Sequence, residues 1–225
     1  MSHFFSTIAH CRIPDKIQKF GHFLVLDFEA TCARNVKLMP QEIIEFPVIK
    51  VNSRSLVSES EFHVYVQPQV HPELTDFCTE LTGIIQDMVE NQPTLAQALK
   101  LFDNYLMKEN LKTDGSLFAF VTCGDWDLKS MLPSQCDNLR IPVPSYFRRW
   151  INLKLVFTEV MGMFPVSLYH MMSTLRLPHR GRLHSGIGCC QSLGCTVTPQ
   201  PSPQHLVCQR SKVYSDEWVA NVTST

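Results

Sequence analysis

Two carboxylates, Asp27 and Glu29, stand two residues apart where the apolar run Phe23-Leu24-Val25-Leu26 ends. Alternate residues of a strand share a face, so both side chains can converge on one point. Anionic groups held side by side repel each other, and a divalent cation between them removes the conflict. An ordinary solvated strand end carries the same Asp-x-Glu spacing, so the pair alone does not decide. Asp127, in Thr122-Cys123-Gly124-Asp125-Trp126-Asp127, follows a later apolar strand and opens a helix. It is either a residue favoured there by the helix dipole or a third ligand for the same ion. His184 lies in Gly181-Arg182-Leu183-His184-Ser185-Gly186, a glycine-flanked loop. A single histidine is ordinarily structural or solvated. Beside a metal cluster it can deprotonate a water.

These residues need a scaffold. Residues 22–27 are short and apolar and end in a carboxylate, the pattern of a buried strand. Residues 42–51 form a second strand, in which Pro47 marks an edge or a bulge. Residues 62–66 alternate Phe62, Val64 and Val66 against His63 and Tyr65, a third strand. The connections are short and show no helical pattern, so the three should form an antiparallel meander. Leu74, Phe77, Cys78 and Leu81 then recur at helical steps and stop at Gly83. Thr94 is a plausible N-cap for a helix over 95–111, with Leu95, Ala98, Leu99, Phe102 and Leu106 on one face. Residues 117–122 read as a fourth strand, and 125–139, 150–158 and 167–177 as helices. Strands followed by helices with an added strand make a mixed sheet flanked by helices, an α/β fold.

Composition limits the class of protein. With 44% apolar and 18% charged residues among 225, a globular core is possible, and a disordered, collagenous or coiled-coil chain is excluded. No apolar run approaches the roughly 20 residues of a membrane helix, so no membrane partner is expected. The first residues lack the basic and apolar regions of a secretory signal. Nine cysteines, an odd number without framework spacing, fit a reducing compartment, cytoplasmic or nuclear or both. Net charge is −1, yet residues 1–139 hold 11 Lys/Arg against 18 Asp/Glu, a net of −7. Residues 140–182 hold Arg140, Arg148, Arg149, Lys154, Arg176, Arg180 and Arg182 against Glu159, a net of +6. Metal-binding carboxylates beside a phosphate-binding surface would give this asymmetry, and so would solvated faces that differ by chance.

Taken together, three segments resemble the DEDDh 3′→5′ exonucleases: Leu24-Val25-Leu26-Asp27-Phe28-Glu29-Ala30-Thr31-Cys32, Gln41-Glu42-Ile43-Ile44-Glu45-Phe46-Pro47 and Cys78-Thr79-Glu80-Leu81-Thr82-Gly83-Ile84. Val121-Thr122-Cys123-Gly124-Asp125-Trp126-Asp127-Leu128-Lys129, Trp150-Ile151-Asn152-Leu153-Lys154 and Gly181-Arg182-Leu183-His184-Ser185-Gly186-Ile187 are similar too. The likeness is to the enhanced-RNA-interference and 3′ histone-mRNA exonuclease group, nearest its prion-protein-interacting branch. It implies a ribonuclease H-like fold over residues 20–187, after an N-terminal extension of 1–19. It implies two Mg²⁺ or Mn²⁺ ions held by Asp27, Glu29 and Asp127, with His184 as general base. It implies single-stranded RNA 3′ ends as substrate, released as nucleoside 5′-monophosphates. Phe28, Ala30 and Thr31 become candidates for contacting the terminal base, against an alternative of plain packing. A protein partner is a further expectation.

The chain departs from that pattern at its end. The family places an Asp five residues after the His, where this sequence has Cys189, and Gly188 replaces the acidic neighbour. A thiolate suits Zn²⁺ better than Mg²⁺, so Cys189 is not expected to rescue the site. Residues 188–225 read as a divergent, poorly ordered tail that lacks the family's final helix. The abrupt change suggests a shifted reading frame or an alternative last exon. A catalytically impaired form that still binds RNA or protein is the alternative function. A zinc site built from Cys189, Cys190, Cys195, His205 and Cys208 is a weaker one, because the spacing is loose.

Overall fold

The computed structural model describes residues 19–112, 117–177 and 185–197, and the strand positions 214–215. Strand β1 (His22–Leu26) breaks for two residues and resumes as β2 (Glu29–Ala30), followed by β3 (Ile43–Asn52) and β4 (Ser58–Tyr65). Helices α1 (Asp76–Thr82), α2 (Gln86–Val89) and α3 (Leu95–Lys108) lead to β5 (Phe118–Thr122). A π-helical turn (Trp126–Met131) runs into α4 (Leu132–Asn138), and a 3₁₀ turn (Ser145–Arg148) into β6 (Arg149–Asn152). Helices α5 (Leu153–Met161), α6 (Leu168–Thr174) and α7 (Gly186–Val197) follow, then β7 (Tyr214–Ser215).

Strand β3 pairs antiparallel with β1 and β2 along one edge and with β4 along the other. β5 is parallel to β1, β6 is parallel to β5, and β7 closes antiparallel on β6. The expected meander of three antiparallel strands and the mixed sheet are both present. Side chains alternate between two covered faces, as a sheet buried on both sides requires. Leu24, Leu26, Phe46, Phe120 and Trp150 meet α3 and α4 on one face, around an aromatic cluster centred on Phe46, Phe102 and Phe147. Phe23, Val25, Val121 and Ile151 meet α5, α6 and α7 on the other.

Several boundaries differ from the sequence reading, each for a local reason. Residues 149–152 form β6 and not the start of a helix. The Asn152 side chain accepts from the backbone N–H of Lys154 and Leu155 at 3.0 and 3.4 Å, so the helix begins only after it. The helix expected over 125–139 is a π-helical turn followed by α4. Pro133 has no N–H to continue the α pattern, and Leu132 N–H reaches back to the Asp127 carbonyl instead. Pro47 suggests an edge or a bulge; strand β3 is internal, and its pairing with β1 and β2 is interrupted opposite Pro47. The largest correction lies at the end. The domain boundary drawn at residue 187 falls inside α7, which runs on through Val197 and buries Cys189, Cys190, Ser192 and Leu193. A helix therefore stands behind the site where the sequence predicts none.

Candidate active site

The site opens where β1 breaks. Leu26 pairs with Val48 and Glu29 with Glu45, so Asp27 stands opposite Pro47. Proline offers no N–H, and the ladder cannot close there. The N–H of Phe28, between the two carboxylates, donates instead to Oδ1 of Asp127 at 2.8 Å, across 99 residues of chain. Asp127 thus meets the backbone that carries Asp27 and Glu29, and the three acids come from β1, β2 and the π-helical turn.

The loop that leads into Asp127 is held by its neighbours. The indole N–H of Trp150 on β6 donates to Oδ1 of Asp125 at 2.9 Å. The Thr122 hydroxyl donates to the Gly124 carbonyl at 2.5 Å and fixes the loop between β5 and the turn. Below them, Gln135 on α4 accepts from Ile43 N–H at 2.8 Å and ties that helix to β3. π-Helical turns inside longer helices recur at functional sites, and here one aims a carboxylate.

Helix α7 reaches the same point. Its first N–H groups, on Gly186 and Ile187, donate to the Glu45 carboxylate at 2.9 and 3.3 Å, and His63 Nε2 meets that carboxylate at 2.8 Å. Glu45 on β3 is buried, so a strand carboxylate caps a helix 141 residues later. Gly186 lies so close that a Cβ there would fall 2.7 Å from the Asp27 carbonyl oxygen and 2.9 Å from Oε2 of Glu45. Only glycine fits. The fixed helix brings Cys189 Sγ and a carboxylate oxygen each from Asp27 and Glu29 within 4.8 Å of one another. Cys189 therefore occupies the place where the sequence comparison expected an acid. In the sequence, Glu45 stands out only as part of the segment Gln41–Pro47. Its role has no local signal, because a polar residue within a strand reads as an ordinary solvent-facing position.

The carboxylates are electrostatically strained. Burial, then the neighbouring Asp127 and Glu29, hold the Asp27 carboxyl well above the usual range, partly relieved by a hydrogen bond from Cys189. Glu29 is pushed up to about 8 by burial and by Glu45 and Asp127. Asp127 is raised to about 7 by burial, against the opposing effect of its bond from Phe28 N–H. Crowded carboxylates that resist ionising are what a bound cation would stabilise, so the donor set fits a divalent metal. Burial, with Asp27 and Asp127, pushes the Cys123 thiol up to about 12, while Lys154, half-buried at the start of α5, opposes them and brings positive charge to this end of the sheet.

Other expected residues fall differently. His184 lies outside the described residues, as do Arg180, Arg182, His205 and Cys208. Cys189 and Cys190 are helical residues on α7, and the Cys190 thiol points to the Pro47 carbonyl at 3.8 Å. Phe28, Ala30 and Thr31 are buried. The Phe28 ring packs edge-on to Phe46 at 5.0 Å, and the Thr31 hydroxyl accepts from Glu42 N–H at 3.0 Å. Their side chains serve the interior. Glu42 itself binds the loop after β4, accepting from the N–H groups of Gln69, Val70 and His71 at 2.6 to 3.1 Å.

A ribonuclease H-like sheet with acids at this break defines a class of nuclease. The exonuclease family profile matches residues 24–191, and the chain belongs to that family, in its DEDDh 3′→5′ division. Members of that division use divalent metal ions. Among known proteins, the chain is 51% identical over 193 residues to ERI1 exoribonuclease 3 of Mus musculus, covering 85% of this chain and 57% of that protein. It is 54% identical over 177 residues to ERI1 exoribonuclease 3 of Homo sapiens, covering 78% and 52%. It is 31% identical to the nuclease domain of 3′hExo, a DEDDh family member solved bound to rAMP, with a TM-score of 0.75 over 78% of this chain and 88% of that one. The chain spans about half the length of the curated relatives it matches.

Proposed function

We propose that this chain is a metal-dependent 3′→5′ exoribonuclease that releases nucleoside 5′-monophosphates from single-stranded RNA with a free 3′ hydroxyl. The observation that carries this reading is Asp127 set beside Asp27 and Glu29 at the β1 break, bound to the Phe28 N–H between them and close enough to raise the Asp27 carboxyl. The three carboxylates would hold the cation, Mg²⁺ or Mn²⁺ by resemblance and in a two-ion arrangement. Bound there, it supplies Lewis-acid stabilisation of the charge that develops on the scissile phosphate. His184 takes the proton from the attacking water. Asp127 keeps Asp27 and Glu29 in register through Phe28 N–H, and Glu45 fixes the helix that closes the site. Backbone at Phe28, Ala30 and Thr31 borders the terminal nucleotide while their side chains pack inward. A reducing compartment, cytoplasm or nucleus, suits nine cysteines without framework spacing.

One observation favours a second reading, a form that binds RNA or a protein partner with little catalysis. Cys189 stands where an acid is expected. An assay on 5′-labelled RNA with a 3′ hydroxyl separates the two. A ladder shortening from the 3′ end, with mononucleotide 5′-phosphates released and a 3′-phosphate-blocked strand protected, supports the exonuclease. Retained RNA binding without shortening, together with a large gain in rate for Cys189→Asp, supports the impaired form. Internal cleavage, or equal rates on blocked and free ends, contradicts both.

A further inference from the structure

Helix α7 delivers a sulfur atom into a cluster of carboxylate oxygens. Cys189 Sγ and one oxygen each of Asp27 and Glu29 lie within 4.8 Å of one another. A triangle with sides no longer than 4.8 Å has every corner within about 2.8 Å of one point, so a small contraction brings the donors to zinc bond lengths of about 2.0–2.3 Å. Asp27 and Glu29 are half-buried and give access from solvent, while Cys189 forms the buried floor. The sulfur rides on a fixed backbone. Glu45 caps α7, Gly186 is pressed against the Asp27 carbonyl, and Cys189 N–H donates to the Ser185 carbonyl at 2.7 Å in the first turn.

We infer that Asp27, Glu29 and Cys189 form a mixed oxygen–sulfur metal site that selects a thiophilic divalent cation of the Zn²⁺ class over Mg²⁺. This rests on the reading of Asp27 and Glu29 as metal ligands. Mg²⁺ demands hard oxygen donors in near-octahedral geometry and keeps several waters. Replacing one oxygen donor by a thiolate weakens that shell and strengthens binding of softer ions. Binding forms one sulfur–metal bond and breaks the Cys189 S–H bond, and the thiol proton leaves to solvent together with those held on Asp27 and Glu29, so the ion meets three negative charges. Cys189 therefore changes which metal the site takes, beyond removing an acid.

Cobalt(II) is the probe, because a thiolate ligand gives it a near-ultraviolet charge-transfer band. The full chain is stripped with a chelator and titrated with Co²⁺, then challenged with Zn²⁺ or excess Mg²⁺. The expected result is a band that Zn²⁺ removes and Mg²⁺ does not, absent in Cys189→Ser and kept in Cys190→Ser. Loss of an outer-shell partner costs roughly 10–100-fold in metal affinity, so Cys189→Ser should weaken Zn²⁺ binding by at least about tenfold and leave Mg²⁺ binding nearly unchanged. Cys189→Asp should reverse the preference. A band and a Zn²⁺ affinity that persist in full in Cys189→Ser overturn the inference. Asp27→Asn tests the reading beneath it separately: Zn²⁺ and Mg²⁺ binding that both survive this change refute the carboxylates as ligands, whatever the sulfur does.

Discussion

At the scale of single residues, Asp27, Glu29 and Asp127 hold protons in the native state that they would release when unfolded. Their folded pKa values lie above the ordinary carboxylate range, up to about 8 for Glu29 and about 7 for Asp127. Between that ordinary range and about pH 8 the native state therefore binds more protons than the unfolded chain, and stability falls as pH rises. Metal-free protein should melt at a lower temperature near pH 8 than near pH 6, and Mn²⁺ should raise the melting temperature more at the higher pH. Thermal unfolding across that range, with and without cation, checks both statements. A melting temperature that rises towards pH 8 without metal would contradict the burial of these groups. All three acids were legible in the sequence because each ends or follows an apolar run. Glu45 was not, since its partners on α7 lie 141 and 142 residues away, beyond any local pattern.

At the scale of elements, the capping of α7 by β3 governs whether the site stays assembled. Glu45→Ala would leave the Gly186 and Ile187 N–H groups and His63 without their acceptor. A buried donor left unsatisfied costs about 1–3 kcal/mol, so the variant should lose at least about 2 kcal/mol on denaturant unfolding, with faster amide exchange confined first to α7. Unchanged exchange in α7 would show that the cap is dispensable. Gly186→Ala tests the same contact by crowding it and should lower activity and metal affinity together, because Asp27 must shift. Strand β1, the meander and α3 were readable, since alternation in strands and the Thr94 capping box leave plain signals. Helix α7 was not. Gly186, Gly188 and Gly194 disfavour a helix, and no charged residue marks its polar face. Tertiary contacts of Cys190 and Leu193 with the sheet override that weak propensity. Strand β6 was missed because Trp150 and Ile151 run without a break into the apolar face of α5.

At the scale of the whole molecule, the parallel order of β1, β5 and β6 places the carboxylates at the C-terminal ends of these strands. Among the described residues, the basic side chains around β6 are therefore divided between its two ends. Arg149 begins β6, at the end of the strand remote from the site, whereas Lys154 follows the strand's other end. Lys154→Ala should weaken single-stranded RNA binding and flatten its salt dependence by about 0.7 in log–log slope, the value for one phosphate contact. Arg149→Ala should change neither, and fluorescence anisotropy at several salt concentrations reads both. Equal losses for the two variants would mean that RNA crosses the far edge of the sheet. The proposed exoribonuclease activity depends on the carboxylates at the β1 break holding a divalent cation. Its most direct test is the release of nucleoside 5′-monophosphates from 3′-hydroxyl RNA by the purified chain, with Mn²⁺ or Zn²⁺ added, beside Asp27→Asn and Asp127→Asn. Stepwise release that requires the cation and is lost in both variants is expected. Release that continues without divalent metal, or survives either substitution, would contradict it.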